Sequence, residues 1–202
     1  MDKGQAGVSL PQDRQRRSGQ KGHATMIAGS HVVMWIAHQP PGNDACRFAV
    51  TSRSLLIEGS CTGEATTRYR VRAERSGITR RARIYSRLGE HLIERDKSGR
   101  WEMDGREVPE VAGALDIDLG FTPATNTLPI RRLGLAIGEA ADVTAAWFDP
   151  ADRRLKPLRQ RYERIDADHY RYSAADHGFE ADLTVDKFGA VTHYPGYWDT
   201  AG

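Results

Sequence analysis

The sequence predicts a mainly β fold, a strongly curved antiparallel sheet forming an open barrel with one helix packed on or in it. Three observations carry this. Turn signals recur roughly every 8 to 12 residues from His31 onward, the spacing of an all-β sandwich, roll or barrel. The runs between them alternate apolar and polar residues with period two, as when Tyr69, Val71 and Ala73 interleave with Arg68, Arg70 and Arg72. One segment alone, Pro129 to Ile137, carries apolar residues at helical spacing: Ile130, Leu133 and Ile137. A helix among so many strands must bury that stripe on the sheet, and a sheet curved around or beside it does so.

In chain order, Val32 to Ala37 reads as the first strand and Pro40-Pro41-Gly42-Asn43-Asp44 as a loop. Cys46, Phe48 and Val50 then alternate with Arg47 and Ala49, and Leu55 to Glu58 is a short strand. The strand around Tyr69 and the one holding Ala82, Ile84 and Ser86 are separated by Arg75-Ser76-Gly77, so they read as neighbours in a meander. His91 to Glu94 and Arg100 to Met103 flank a hairpin turn ending in Gly99, and Asp104-Gly105 makes the next turn. Val143 to Phe148, Leu155 to Arg164, Tyr170 to Ser173, Phe179 to Val185 and Ala190 to Tyr194 complete the strands, with Asp- and Gly-rich turns between them.

At 202 residues the chain is one domain with an extension. Residues 1–25 hold five basic residues against two acidic ones and almost no large apolar side chain, so a disordered basic leader is expected there, with a single β-roll domain over 26–202 and Met26 as a plausible start. The net charge of +2 leaves the remaining body close to neutral, which argues against a nucleic-acid partner. No run approaches the roughly 18 apolar residues of a membrane span, so stable membrane insertion is not expected. Without a signal peptide the expected location is the cytoplasm. In that compartment Cys46 and Cys61 are expected to be free, small core residues rather than a disulfide.

The most distinctive stretch runs from Leu115 to Leu133. Leu115, Ile117 and Leu119 alternate with Asp116 and Asp118 as in a half-buried strand. Gly120 to Thr127 carries turn chemistry, and Asn126 and Thr127 have side chains able to cap the helix that Pro129 opens. Arg131 and Arg132 follow, and Gly138 is placed to close the helix.

Asp116-Ile-Asp118-Leu, Thr122-Pro123 and the nonapeptide Thr125 to Leu133 together resemble the signature of a bacterial family described as putative glycolipid-binding. Further matches run in the same order, among them Gly99-Arg-Trp101, Ala146-Trp147, Gln160, Tyr162, Tyr172, Phe179, Tyr194-Pro195 and Trp198. The resemblance spans roughly Trp35 to Trp198. It implies a spiral β-roll, an incomplete barrel like the carriers of lipoproteins, with an apolar interior. Where relatives carry an Asp and a Trp after the Tyr69 strand, this chain has Glu74 and Gly77.

Several residues could carry chemistry. Asp116 and Asp118, two apart on one strand, present both carboxylates to one side, about 7 Å apart at Cα. They suit either an acid/base pair of the glycosidase kind or ion pairs with Arg131 or Arg132 that lock the strand–helix junction, and the second is favoured. The arginine pair could instead grip an anionic headgroup. Asn126 reads first as a cap and second as a ligand contact. Trp101 and Trp147 are large amphipathic side chains of the kind that line a pocket. The histidines lie singly, without metal spacing or a cysteine partner, and no phosphate- or dinucleotide-binding glycine pattern is present, so neither a metal nor a cofactor is expected.

Three functional classes follow. The leading one is a non-enzymatic protein that holds a glycolipid or fatty-acyl compound inside the open roll, with Asn126, Arg131 or Arg132 orienting its head. The others are a hydrolase of a sugar or lipid ester built on Asp116 and Asp118, and a structural or partner-binding module with a filled core.

Overall fold

In the computed structural model, residues 29–63 and 65–201 are described; the expected leader over 1–25 and the start at Met26 lie outside them. Fifteen strands form one sheet. They are β1 (Gly29–His38), β2 (Pro41–Val50), β3 (Ser54–Thr62), β4 (Thr67–Glu74), β5 (Thr79–Ser86), β6 (Gly89–Arg95), β7 (Trp101–Met103), β8 (Arg106–Glu107), β9 (Asp116–Leu119), β10 (Ala140–Asp149), β11 (Arg154–Arg164), β12 (His169–Ala174), β13 (Phe179–Val185), β14 (Val191–Tyr194) and β15 (Trp198–Thr200). The spatial order is β8-β7-β6-β5-β4-β3-β2-β1-β15-β14-β13-β12-β11-β10-β9. The chain therefore meanders outward from β1 to β8, crosses to the far edge at β9, and meanders back from β10 to β15, which pairs with β1.

Curvature brings the two arms together. The Thr79 N–H at the start of β5 donates to the Leu115 carbonyl beside β9 (2.9 Å), and the Ile117 N–H donates to Thr79 Oγ1 (3.0 Å). Strands β6 to β8 run on past this seam, so the sheet is an open spiral and not a closed barrel. The predicted fold class stands.

The meander strands form because one face of each is apolar. On β4, Tyr69, Val71 and Ala73 are buried and Arg68, Arg70 and Arg72 are exposed. Three features depart from the expectations. The Pro41–Asp44 segment continues β2 instead of looping, with Asp44 fully buried. β9 and β10 pair in parallel, whereas the sequence pattern suggested only antiparallel neighbours. Parallel neighbours require a crossover of a dozen or more residues, which is why a helix sits between them. That helix, α1, spans Thr127–Leu133 and ends four residues earlier than its spacing implied. Gly134 takes the left-handed conformation (φ 54°) and its N–H closes on Ile130 O (3.2 Å), so Ile137 lies outside the helix and is 63 % exposed.

The helix divides the interior. Leu128 packs in a core cluster formed mainly by β1–β6 and β9, and Ile130 in a second cluster formed mainly by β11–β14. Leu128 and Ile130 thus pack against side chains of the two clusters beneath α1. Cys46 and Cys61 are free and buried in the first cluster, and burial pushes the Cys46 thiol up to about 12. No helix among the described residues is long and apolar enough to cross a membrane.

Candidate functional site

The Leu115–Leu133 stretch builds one wall of a recess of about 290 Å³. After β9, a 3-10 turn over Pro123–Asn126 is capped by Thr122, whose hydroxyl accepts the Ala124 N–H (3.1 Å). Thr122 in turn donates to Asp44 Oδ2 (2.5 Å), which also accepts the Tyr69 hydroxyl (2.8 Å). Burial raises the Asp44 carboxyl pKa and these two hydroxyls oppose the rise. Asp118, Gly120, Thr122, Pro123 and Asn126 face the recess from this side. Gly120 is obligatory: a Cβ there would stand 2.5 Å from Trp147 Nε1 and 3.0 Å from Pro150 Cδ.

The opposite wall is aromatic. Tyr172 of β12, Phe179 of β13, Tyr194 of β14, and Tyr197 and Trp198 at β15 line it, with Trp147 of β10 against His177 (ring centroids 5.2 Å). Tyr172, Phe179, Tyr194 and Tyr197 form a continuous cluster with neighbouring centroids 5.5 to 6.3 Å apart. Gln160 of β11 links the walls: its Nε2 donates to Asp118 Oδ2 (2.6 Å) and to the Tyr172 hydroxyl (3.1 Å). Asn126 donates to the Tyr162 hydroxyl (2.9 Å) behind them. Burial raises the Asp118 carboxyl to about 6; the Gln160 amide lowers it and the nearby Asp116 raises it further. The site therefore offers a carboxyl that changes charge near neutral pH, an amide and phenolic oxygens, all set against aromatic faces.

The predicted site residues divide. Asp118, Asn126 and Trp147 line the recess. Asp116 does not: it is 1 % exposed and held by Arg132, whose Nε donates to Oδ1 (3.0 Å) and Nη2 to Oδ2. Burial raises the Asp116 carboxyl pKa and Arg132 opposes it. The two carboxylates point to different partners, so the acid/base pair lacks its second member and the ion-pair reading describes Asp116. Arg131 stacks over Phe188 (4.1 Å to the centroid) and donates to the Phe188 carbonyl. Asn126 does not cap the helix through its side chain. Trp101 is fully buried in the first core cluster and donates to Ala114 O (3.1 Å).

Sequence reading missed Gln160 and His177 as members of the site. A signal for Gln160 existed, since it falls in the buried phase of β11 with Leu158 and Tyr162, where a polar residue must find partners. Among the described residues, Asp166, Asp168 and His169 bring three potential metal-ligand atoms within 4.8 Å of one another on an exposed turn. Asp166 Oδ1 there accepts the Asp168 and His169 N–H groups (3.0 and 2.9 Å), as turn residues do.

Fold and site together define an open β-roll with a small, aromatic-walled, polar-tipped recess. The chain belongs to the family described as "Putative glycolipid-binding", whose model matches residues 32–200. It is similar to the crystal structure of a DUF1089 family protein from Pseudomonas aeruginosa, with a TM-score of 0.62 and 29% identity over 93% of this chain and 99% of that one. No curated protein matches.

Proposed function

We propose that the protein binds an amphiphile with a sugar head, and that the head, not the acyl chain, occupies the recess. The observation that carries this is the pairing of Asp118, Asn126 and the Tyr172 hydroxyl with the Tyr194, Tyr197 and Trp198 rings across one small space. A sugar ring has apolar C–H faces that stack on aromatic rings and hydroxyls that hydrogen-bond to a carboxylate, so it matches both walls. Size supports the reading. The recess volume of about 290 Å³ has room for a single sugar ring. The family description is consistent with a glycolipid.

An acyl tail would lie along the protein surface from the mouth of the recess, since the interior beneath α1 is packed. Among the described residues lining the recess Asp118 is the one carboxylate, which favours binding over hydrolysis.

Native mass spectrometry of the purified protein with short-chain alkyl glycosides and matched alkyl alcohols tests this. Adducts with the glycosides and not the alcohols are expected, lost on Tyr172→Ala. Equal binding of both sets would overturn the headgroup reading, and binding of neither would overturn the function.

A further inference from the structure

We infer that the outer face of β1–β5 docks on an anionic bilayer surface. The face is read directly from the strand registers. One row across the sheet is Val32, Arg47, Glu58, Arg70, Arg83; the next is Met34, Ala45, Ser60, Arg68, Tyr85. A third places Leu56 opposite Arg72, and Arg72 opposite Arg81.

Two arginine pairs, Arg70 with Arg83 and Arg72 with Arg81, thus stand directly opposite each other on neighbouring strands. Like charges in that position destabilise a sheet. Arg70, Arg81 and Arg83 have carboxylate partners in Glu58, Glu94 and Glu90, while Arg68 and Arg72 have none among the described residues. A groove of about 430 Å³ between these strands is lined by Arg70, Arg72, Arg81 and Arg83, with Leu56 and Tyr85 and no carboxylate. Such an arrangement is stabilised by anions brought from outside.

Beside it, β1 exposes three successive outward apolar side chains, Val32 at 68 %, Met34 at 53 % and Ile36 at 43 %. Apolar side chains flanked by arginines fit the headgroup–acyl boundary of an anionic bilayer. Nucleic acid would use the arginines but leave the stripe without purpose. A second copy packed symmetrically on this face would set arginines against arginines. The inference does not depend on the recess.

Vesicle co-sedimentation of the full chain tests it, with phosphatidylcholine alone and with about one-third phosphatidylglycerol added. Binding to the anionic vesicles only, weakened by salt, is expected. Arg68→Glu/Arg72→Glu should lower it at least ~10-fold, since each near-surface basic residue contributes about fivefold, and Met34→Ser should lower it further. These side chains are exposed, and a melting curve confirms that each variant folds. Absence of binding to anionic vesicles overturns the inference. So does binding unchanged by the double substitution, which would assign it to residues 1–25 alone. Equal affinity for a DNA duplex, indifferent to Met34→Ser, would reassign the face to nucleic acid; a dimer in light scattering that Met34→Ser dissolves would reassign it to a second copy.

Discussion

Asp118 and Asp116 sit two residues apart on β9, yet their surroundings give them different work. Asp118 is raised to about 6 mainly by burial, so the folded protein favours its neutral form. A carboxyl whose pKa is higher folded than unfolded supports stability below the unfolded value, near 4, and that support is lost as pH climbs through 6. Asp118→Asn, which keeps an acceptor for Gln160, should therefore raise the melting temperature at pH 7.5 and leave it unchanged near pH 4. The ceiling on the gain is ~3 kcal/mol, from about two pKa units at 1.36 kcal/mol each. Burial raises the Asp116 carboxyl too, but there Arg132 opposes the rise and holds the group in place. Arg132→Leu strands a buried carboxylate, and urea unfolding should show a loss of about 3–5 kcal/mol. On the outer face, Arg72→Glu replaces a like-charge opposition to Arg81 with an attractive pair. Thermal melting should rise slightly at low salt, by less than ~1 kcal/mol, and lose the gain in high salt. Residue types at the site were legible in Asp118, Asn126 and Trp147. Their division of labour was not, because which carboxylate meets an arginine depends on where α1 lands relative to β9.

At the scale of elements, the alternating strands were readable because burial on one face dictates a period of two, and β4 displays it without exception. Boundaries failed where backbone chemistry overrode spacing. Ile130, Leu133 and Ile137 suggested a longer helix, but Gly134 can enter the left-handed region at no steric cost and stops it. Leu135, just past that stop and 7 % exposed, takes the buried place expected of Ile137. Gly134→Ala forces a Cβ into φ 54° and should cost about 1 kcal/mol in chemical denaturation. β15 was missed altogether, since three residues are too few to show a period. It nevertheless joins the two arms of the sheet through its pairing with β1 and places Trp198 at the recess.

Over the whole molecule, long-range polar links join the two arms of the spiral. Thr79 supplies both an N–H to Leu115 O and an acceptor for the Ile117 N–H at the seam between β5 and β9. Nothing in the sequence around Thr79 announces this, because the partners come from opposite ends of the sheet order. Curvature and a packed helix were predictable, whereas the closeness of the core packing was not, since patterning tells which side chains face inward and not how tightly they meet. The proposed ligand site is therefore the recess beside β9. The sharpest test is the indole N–H region of an NMR titration with a short-chain alkyl glycoside below its micelle concentration. Trp147 and Trp198 line the recess, while Trp35 and Trp101 are buried and donate to the Val191 and Ala114 carbonyls, so they serve as internal controls. Shifts confined to Trp147 and Trp198, saturating with glycoside and absent in Tyr172→Ala, are predicted. Unmoved recess indoles, or equal shifts in all four, would contradict the account.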